Sequence, residues 1–324
     1  MKYQTYTRRL KHVFGPIVTR AAVPVILLCM APGCAQPPAK VTTLSEAHKK
    51  FLTICDEERH LKPLIKPQGK TLYIYLPVEH EIMVTKPNGK EAFQSPMAKS
   101  AQKLLFIDGR HDKNQFSFTY DVAEQKFYPN ELGYTYVYSD AYRQKDSFLL
   151  QALLRAYGDL DAVSIDALES SQYDKPLAQK DTLDFVVLVI ADINNGMVAT
   201  KTFYFRDYRY SLTGALPAEE YIRRQLFEVT GNVQAVDDTT GRHLKYHEIT
   251  WREFLTRQIV HRVKFQYQRS DFPPKDDPEN AILGMAYEAF KAYTYKDFDT
   301  IELNNLAEGK TYLFNKRQLE TFKE

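Results

Sequence analysis

Residues 183–205 read LDFVVLVIADINNGMVATKTFYF. The run from Phe185 to Ile190 is apolar at every position, short and rich in β-branched residues, which marks a buried strand. Asp192, Asn194 and Asn195 are turn residues, and the pair Asn195-Gly196 accepts the positive φ angles of a tight hairpin. A second strand leaves at Met197, so the two pair antiparallel. A chain whose most apolar strand doubles back in this way is not a parallel doubly wound fold.

Working outward, SFLLQALLRAY (147–157) reads as a helix stopped by Gly158. Before it, QFSFTYDV and YTYVYS alternate strictly, placing Phe116, Phe118 and Tyr120, then Tyr134, Tyr136 and Tyr138, on single strand faces. KTLYIYLP and HEIMVT are also strand-like. Thr43-Leu-Ser-Glu46 is a capping box that opens a helix to about His60, with Ala47, Phe51, Ile54 and Cys55 on one side.

On the C-terminal side, Pro217 opens a helix with Glu219 and Glu220 in its first turn and Gly231 after its end. NVQAV and RHLKYHEI flank the turn DDTTG as a further hairpin. Thr250-Trp-Arg-Glu253 is a second capping box, starting a helix to about Phe265. SDFPPKDDPEN (270–280) is a break before the helix NAILGMAYEAFKAY and a last strand pair, FDTIEL and TYLFN. Strand, strand, helix thus recurs near residues 114–157, 184–229 and 232–265, without sequence identity between the units. Hairpins alternating with helices predict an α+β fold of antiparallel β-hairpins packed against helices. One folded region is expected over 43–324, with a soft boundary near 170–180.

The stretch VPVILLCMAPGCAQPP (23–38) fixes the expected location. Its apolar run, Ala21 to Met30, follows Lys2, Arg8, Arg9, Lys11 and Arg20 and is half of the roughly 20 residues a membrane-spanning helix needs. These are the parts of a secretory signal peptide. Ala31-Pro32-Gly33-Cys34 resembles the lipobox of bacterial lipoproteins, from which Pro32 departs. The resemblance implies cleavage before Cys34, a lipid on Cys34, and a tether over residues 34–42. Ala35 in place of Asp implies sorting to the periplasmic face of the outer membrane. Simple secretion after Ala35 is the alternative.

Removing residues 1–33 takes away five basic side chains and no acids, which leaves 291 residues with 38 basic and 41 acidic side chains, about −3. That balance lacks the basic footprint of a nucleic-acid binder. Cys29 leaves with the signal and Cys34 carries lipid, so Cys55 is the one free thiol expected and packing must supply the stability.

Several patterns suggest chemistry and fall short. Ser100-Ala-Gln-Lys103 matches the nucleophile motif of penicillin-binding proteins, but Ser139-Asp140 is followed by Ala141 and no Lys-Thr-Gly exists. Gly69-Lys70-Thr71 and Gly309-Lys310-Thr311 lack the earlier glycine of a phosphate-binding loop and read as turns into strands. His243 and His247 suggest a metal. On a strand, however, they stand about 13 Å apart, at roughly 3.3 Å per residue, too far for one ion. Asp192 is the catalytic candidate, a carboxylate leaving a buried strand, although Asp beside a turn has an ordinary structural role. No cofactor motif is present.

Two features suggest binding. The faces of Phe116, Phe118 and Tyr120 and of Tyr134, Tyr136 and Tyr138 form either a stacking platform or core. The helix from Trp251 carries Arg252, Arg257, Arg262, Lys264 and Arg269 against Glu253, a local positive surface or a solvated helix face. The expected function is an accessory, assembly or binding role in the cell envelope, anchored to the membrane through Cys34. An envelope protein or peptidoglycan is the expected partner. A periplasmic hydrolase acting on polysaccharide or peptidoglycan is the alternative.

Overall fold

The computed structural model describes residues 44–87, 101–126, 134–158, 183–267 and 278–321. The leader, Cys34, the tether, Thr43, Ser100, the boundary near 170–180, Arg269 and residues 270–277 lie outside the described residues, as does the side chain of Tyr134.

The fold is α+β. Helix α1 (Leu44–Arg59) precedes the hairpin β1 (Leu64–Gln68) and β2 (Thr71–Val78), then β3 (Met83–Pro87). The long hairpin β4 (Ala101–Asp112) and β5 (Gln115–Lys126) follows, with β6 (Tyr134–Tyr138) and α2 (Asp140–Tyr157). Strands β7 (Phe185–Asp192) and β8 (Met197–Tyr204) lead into α3 (Phe205–Thr213), α4 (Ala218–Arg224) and β9 (Leu226–Gly231). The chain ends with α5 (Trp251–Tyr267), α6 (Pro278–Ala292), β10 (Thr300–Asn305), β11 (Lys310–Asn315) and α7 (Lys316–Leu319).

The quoted hairpin forms as its sequence requires. Asp192 pairs with Met197 across a four-residue loop, and Gly196 takes φ +70°. Every residue of β7 is buried because strands flank it and cores cover both its faces. Its sheet runs β1-β2-β7-β8-β9, all antiparallel except β2 with β7. Alternation along β7 sends Val186, Leu188 and Ile190 to the side of α1 and α2. Val187 and Val189 face the loop around Ile249 and the start of α5 at Phe254.

A second sheet, β11-β10-β5-β4, is likewise antiparallel except for β10 with β5. It packs on α5 through Leu255, Ile259 and Val263, and on α6 through Ile282, Ala286 and Phe290. Helix α5 therefore serves two cores, Phe254 in one and Leu255 in the other. At Gly109 in β4 the helix comes so close that a Cβ there would lie 2.8 Å from both Thr256 Cγ2 and Val260 Cγ2. The third sheet is the pair β3-β6.

Three local expectations fail. Helix α2 starts seven residues early, at Asp140, because the Ser139 hydroxyl caps the Tyr142 N–H at 3.2 Å. The helix from Pro217 ends at Arg224, and residues 226–231 form an edge strand on β8, with Leu226 buried against the sheet. Residues 232–250 form a short 3₁₀ turn and an ordered loop in place of a hairpin. There the Asp238 carboxylate takes the N–H groups of Thr240 and His243, each at 3.0 Å, which a strand ladder would have used. The second capping box forms by half: Thr250 Oγ1 accepts from Glu253 N at 3.2 Å, while the Glu253 side chain turns to His247.

Candidate functional site

A cavity of about 740 Å³ opens between the β8–β9 side of the five-stranded sheet and helices α2, α4, α5 and α6. Tyr138, Tyr142 and Phe227 form one wall. The ring of Tyr138 lies 5.4 Å from Tyr142 and 5.5 Å from Phe227. Ile222 of α4, Met285 of α6 and Phe265 of α5 continue the apolar lining, and Ile222 is 62% exposed. A large aliphatic side chain left in water at a cavity's edge marks a contact surface when it continues an apolar wall.

The polar groups of the cavity come as pairs. Lys201 stands at the centre of β8, and its Nζ donates to both oxygens of Asp146 at 2.8 and 2.7 Å, with both side chains largely covered. Arg262, nearly buried, lies 3.4 Å from Glu220 and 3.5 Å from Glu288. Arg143 lies 3.9 Å from Asp140, and both side chains are exposed. Arg223 has no ion pair among the described residues and is exposed. Burial lowers the pKa of His261, which keeps it neutral at pH 7, and its ring stacks on Phe265 with centroids 6.5 Å apart. Burial also raises the hydroxyls of Tyr138 and Tyr142.

Behind this cavity runs a buried polar chain. Asp207 of α3 accepts from Tyr293 Oη at 2.6 Å and from Arg224 Nη1 at 3.1 Å. Arg224 also reaches Glu220, and Glu220 reaches Arg262. Gln258 ties α5 to the chain through Arg224 O at 3.0 Å and Tyr293 Oη at 3.2 Å. Burial raises the pKa of Asp207 even though Tyr293 and Arg224 oppose it. The network holds α3 and α4 against α5 and α6, and so sets the spacing of the cavity walls.

The residues singled out in the sequence mostly sit elsewhere. Asp192 is 1% exposed, and its carboxylate is taken up by the turn: Oδ1 accepts from the N–H groups of Asn194 and Asn195, and Oδ2 from Asn195 Nδ2 at 2.8 Å. Phe116 and Phe118 are buried in the core of the second sheet, whereas Tyr136 is 68% exposed on β6. His243 is buried against Asp238, its Nδ1 2.6 Å from Oδ2, and His247 lies against Glu253 at 2.9 Å. The two histidines thus serve separate carboxylates. Among the described residues no group of three or more His, Cys, Asp or Glu could hold a metal ion.

The basic helix is largely neutralised, by Glu253 within it and by carboxylates from other elements. Arg252 pairs with Asp297, Arg257 stands 3.9 Å from Glu253, and Arg262 has its two glutamates, which leaves Lys264 exposed. Arg262 and Tyr138 are the residues chosen from the sequence for binding that stand in the cavity wall. Sequence reasoning missed Lys201, Asp146, Arg223 and Phe227. The one local signal was Lys201, the single charge in the strand MVATKTFY.

No helix among the described residues is long and apolar enough to cross a membrane. No protein-family model, curated protein or solved structure matches this chain.

Proposed function

We propose that this chain is a cell-envelope lipoprotein whose folded region acts by binding, in an accessory or assembly role, while a lipid on Cys34 holds it at the periplasmic face of the outer membrane. The observation that carries the binding half is the cavity. Its volume of about 740 Å³ falls within the ~300–1,000 Å³ of small-molecule sites, and an aromatic wall runs out to the exposed Ile222. Its carboxylates, Asp146 and Glu288, are both held by cations, which suits recognition better than proton transfer.

The anchor half rests on the basic leader, the short apolar run and Gly33-Cys34. A tether over residues 34–42 spans at most ~30 Å when fully extended, which would keep the folded region within reach of an envelope protein or peptidoglycan. Cell fractionation with a fatty-acid analogue tests the anchor. Cys34→Ala is expected to abolish labelling and move the protein out of the membrane fraction; a labelled or still membrane-bound variant contradicts it.

A further inference from the structure

We infer that the cavity takes a small amphipathic anion, an acyl or aromatic body ending in one carboxylate or phosphate. The inference rests on reading the cavity as the binding site and adds the chemistry of what fills it. Its walls offer the body of such a ligand Tyr138, Tyr142, Phe227, Ile222 and Met285, enough apolar surface to replace the water that an empty cavity holds.

Charge sets the sign of the head group. Four cations line the cavity, Arg143, Lys201, Arg223 and Arg262, against two carboxylates, Asp146 and Glu288, with His261 neutral. Lys201 is consumed by Asp146 at 2.7 Å, and Arg262 by Glu288 and Glu220. The surplus therefore sits on Arg223, which acts on Glu220 only at longer range and forms no ion pair among the described residues, and on Arg143, whose neighbour Asp140 is loose and solvated. Arg143 and Arg223 are exposed while Tyr138, Tyr142 and Phe227 are partly or fully covered, so the unpaired charge stands closer to water than the aromatic wall does. A cationic ligand meets no free carboxylate there, and a neutral one leaves the two guanidiniums unused. An anion gains a charge-assisted hydrogen bond from a planar donor suited to either carboxylate or phosphate.

Such a head group could come from a free fatty acid or from a phosphate-bearing lipid, so the test uses both. Calorimetric titration of the purified full chain with decanoate, decyl phosphate, decanol and decyltrimethylammonium is expected to show one or both anions binding at least about tenfold tighter than decanol, and the ammonium weakest. Arg223→Gln should weaken the preferred anion about three- to tenfold and leave decanol unchanged. The exposed Ile222→Glu should weaken all ligands that bind. Decanol binding as tightly as both anions, or an anion affinity untouched by Arg223→Gln, overturns the head-group assignment; if Ile222→Glu still abolishes that binding, the cavity survives as the site. Binding indifferent to Ile222→Glu overturns the inference and the site together, and no binding by any of the four overturns the inference alone.

Discussion

Tyr293 donates its phenol hydrogen to Asp207 Oδ2 at 2.6 Å, joining the segment after α6 to the helix that follows β8. Asp207 is buried and Tyr293 partly so, and Arg224 closes the arrangement from α4, with its guanidinium carbon 5.2 Å from the centre of the Tyr293 ring. The cavity walls are thus held by a charged joint whose members depend on one another.

Removing one member of that joint should cost more than its own bond. Arg224→Met leaves the buried Asp207 without its cation, while Glu220 keeps Arg262, and is expected to destabilise by roughly 3–5 kcal/mol; Tyr293→Phe, which leaves Arg224 in place, by about 1–2 kcal/mol. Urea unfolding at pH 7 reads both. The pH dependence has a defined sign. Burial raises the Asp207 pKa in the folded state, so the native protein binds the extra proton and this group's contribution falls as pH rises above the ordinary value of 3.8. The stability gap between wild type and Asp207→Asn should therefore narrow as pH rises through that window.

Asp238 should show the opposite slope. Burial opposes its ionisation, but bonds from His243 and Thr240 prevail and hold the carboxyl well below the usual carboxylate range. A depressed pKa contributes stability above the unfolded value and loses it as acid protonates the folded state. The advantage of wild type over Asp238→Asn should be full above about pH 5 and shrink progressively below about pH 4 in acid unfolding followed by circular dichroism.

At the β7–β8 turn, Asp192→Ala frees the N–H groups of Asn194 and Asn195 and should cost about 1–3 kcal/mol. Gly196→Ala places a Cβ 2.8 Å from Asn232 O at φ +70° and should cost about 1–3 kcal/mol. Thermal melts of the two variants check this. A melt of Asp192→Ala that matches wild type would remove the carboxylate's turn role and return it to consideration as a reactive group.

The parts of the fold that were legible were those decided locally. Asn195-Gly196 required a hairpin whatever lay around it, and the strict alternation of QFSFTYDV placed Phe116, Phe118 and Tyr120 on one face, which the structure buries in the core in place of a binding platform. Misreading began where a side chain from a distant element decided the outcome. RHLKYHEI alternates like a strand, yet its backbone answers to the Asp238 carboxylate and to the Thr71 hydroxyl on β2, which accepts from Ile249 N at 2.9 Å. The helix from Trp251 looked basic because its counter-ions, Glu220, Glu288 and Asp297, belong to other elements. The cavity was invisible for the same reason: its lining runs from Tyr138 to Glu288 over seven elements and the Gln225 junction, and no short window contains it.

A protein that meets its ligand or partner at this cavity should be captured there by a photo-crosslinking amino acid placed at position 222 in living cells. Ile222 at the cavity mouth is 62% exposed and Val233, away from the cavity, is 88% exposed, so the second position controls for chance encounters. The account predicts a discrete adduct by mass spectrometry at 222 that is absent at 233 and is lost when Phe227→Arg fills the cavity. Equal labelling at both positions, or an adduct at 222 that persists with the cavity filled, would contradict it.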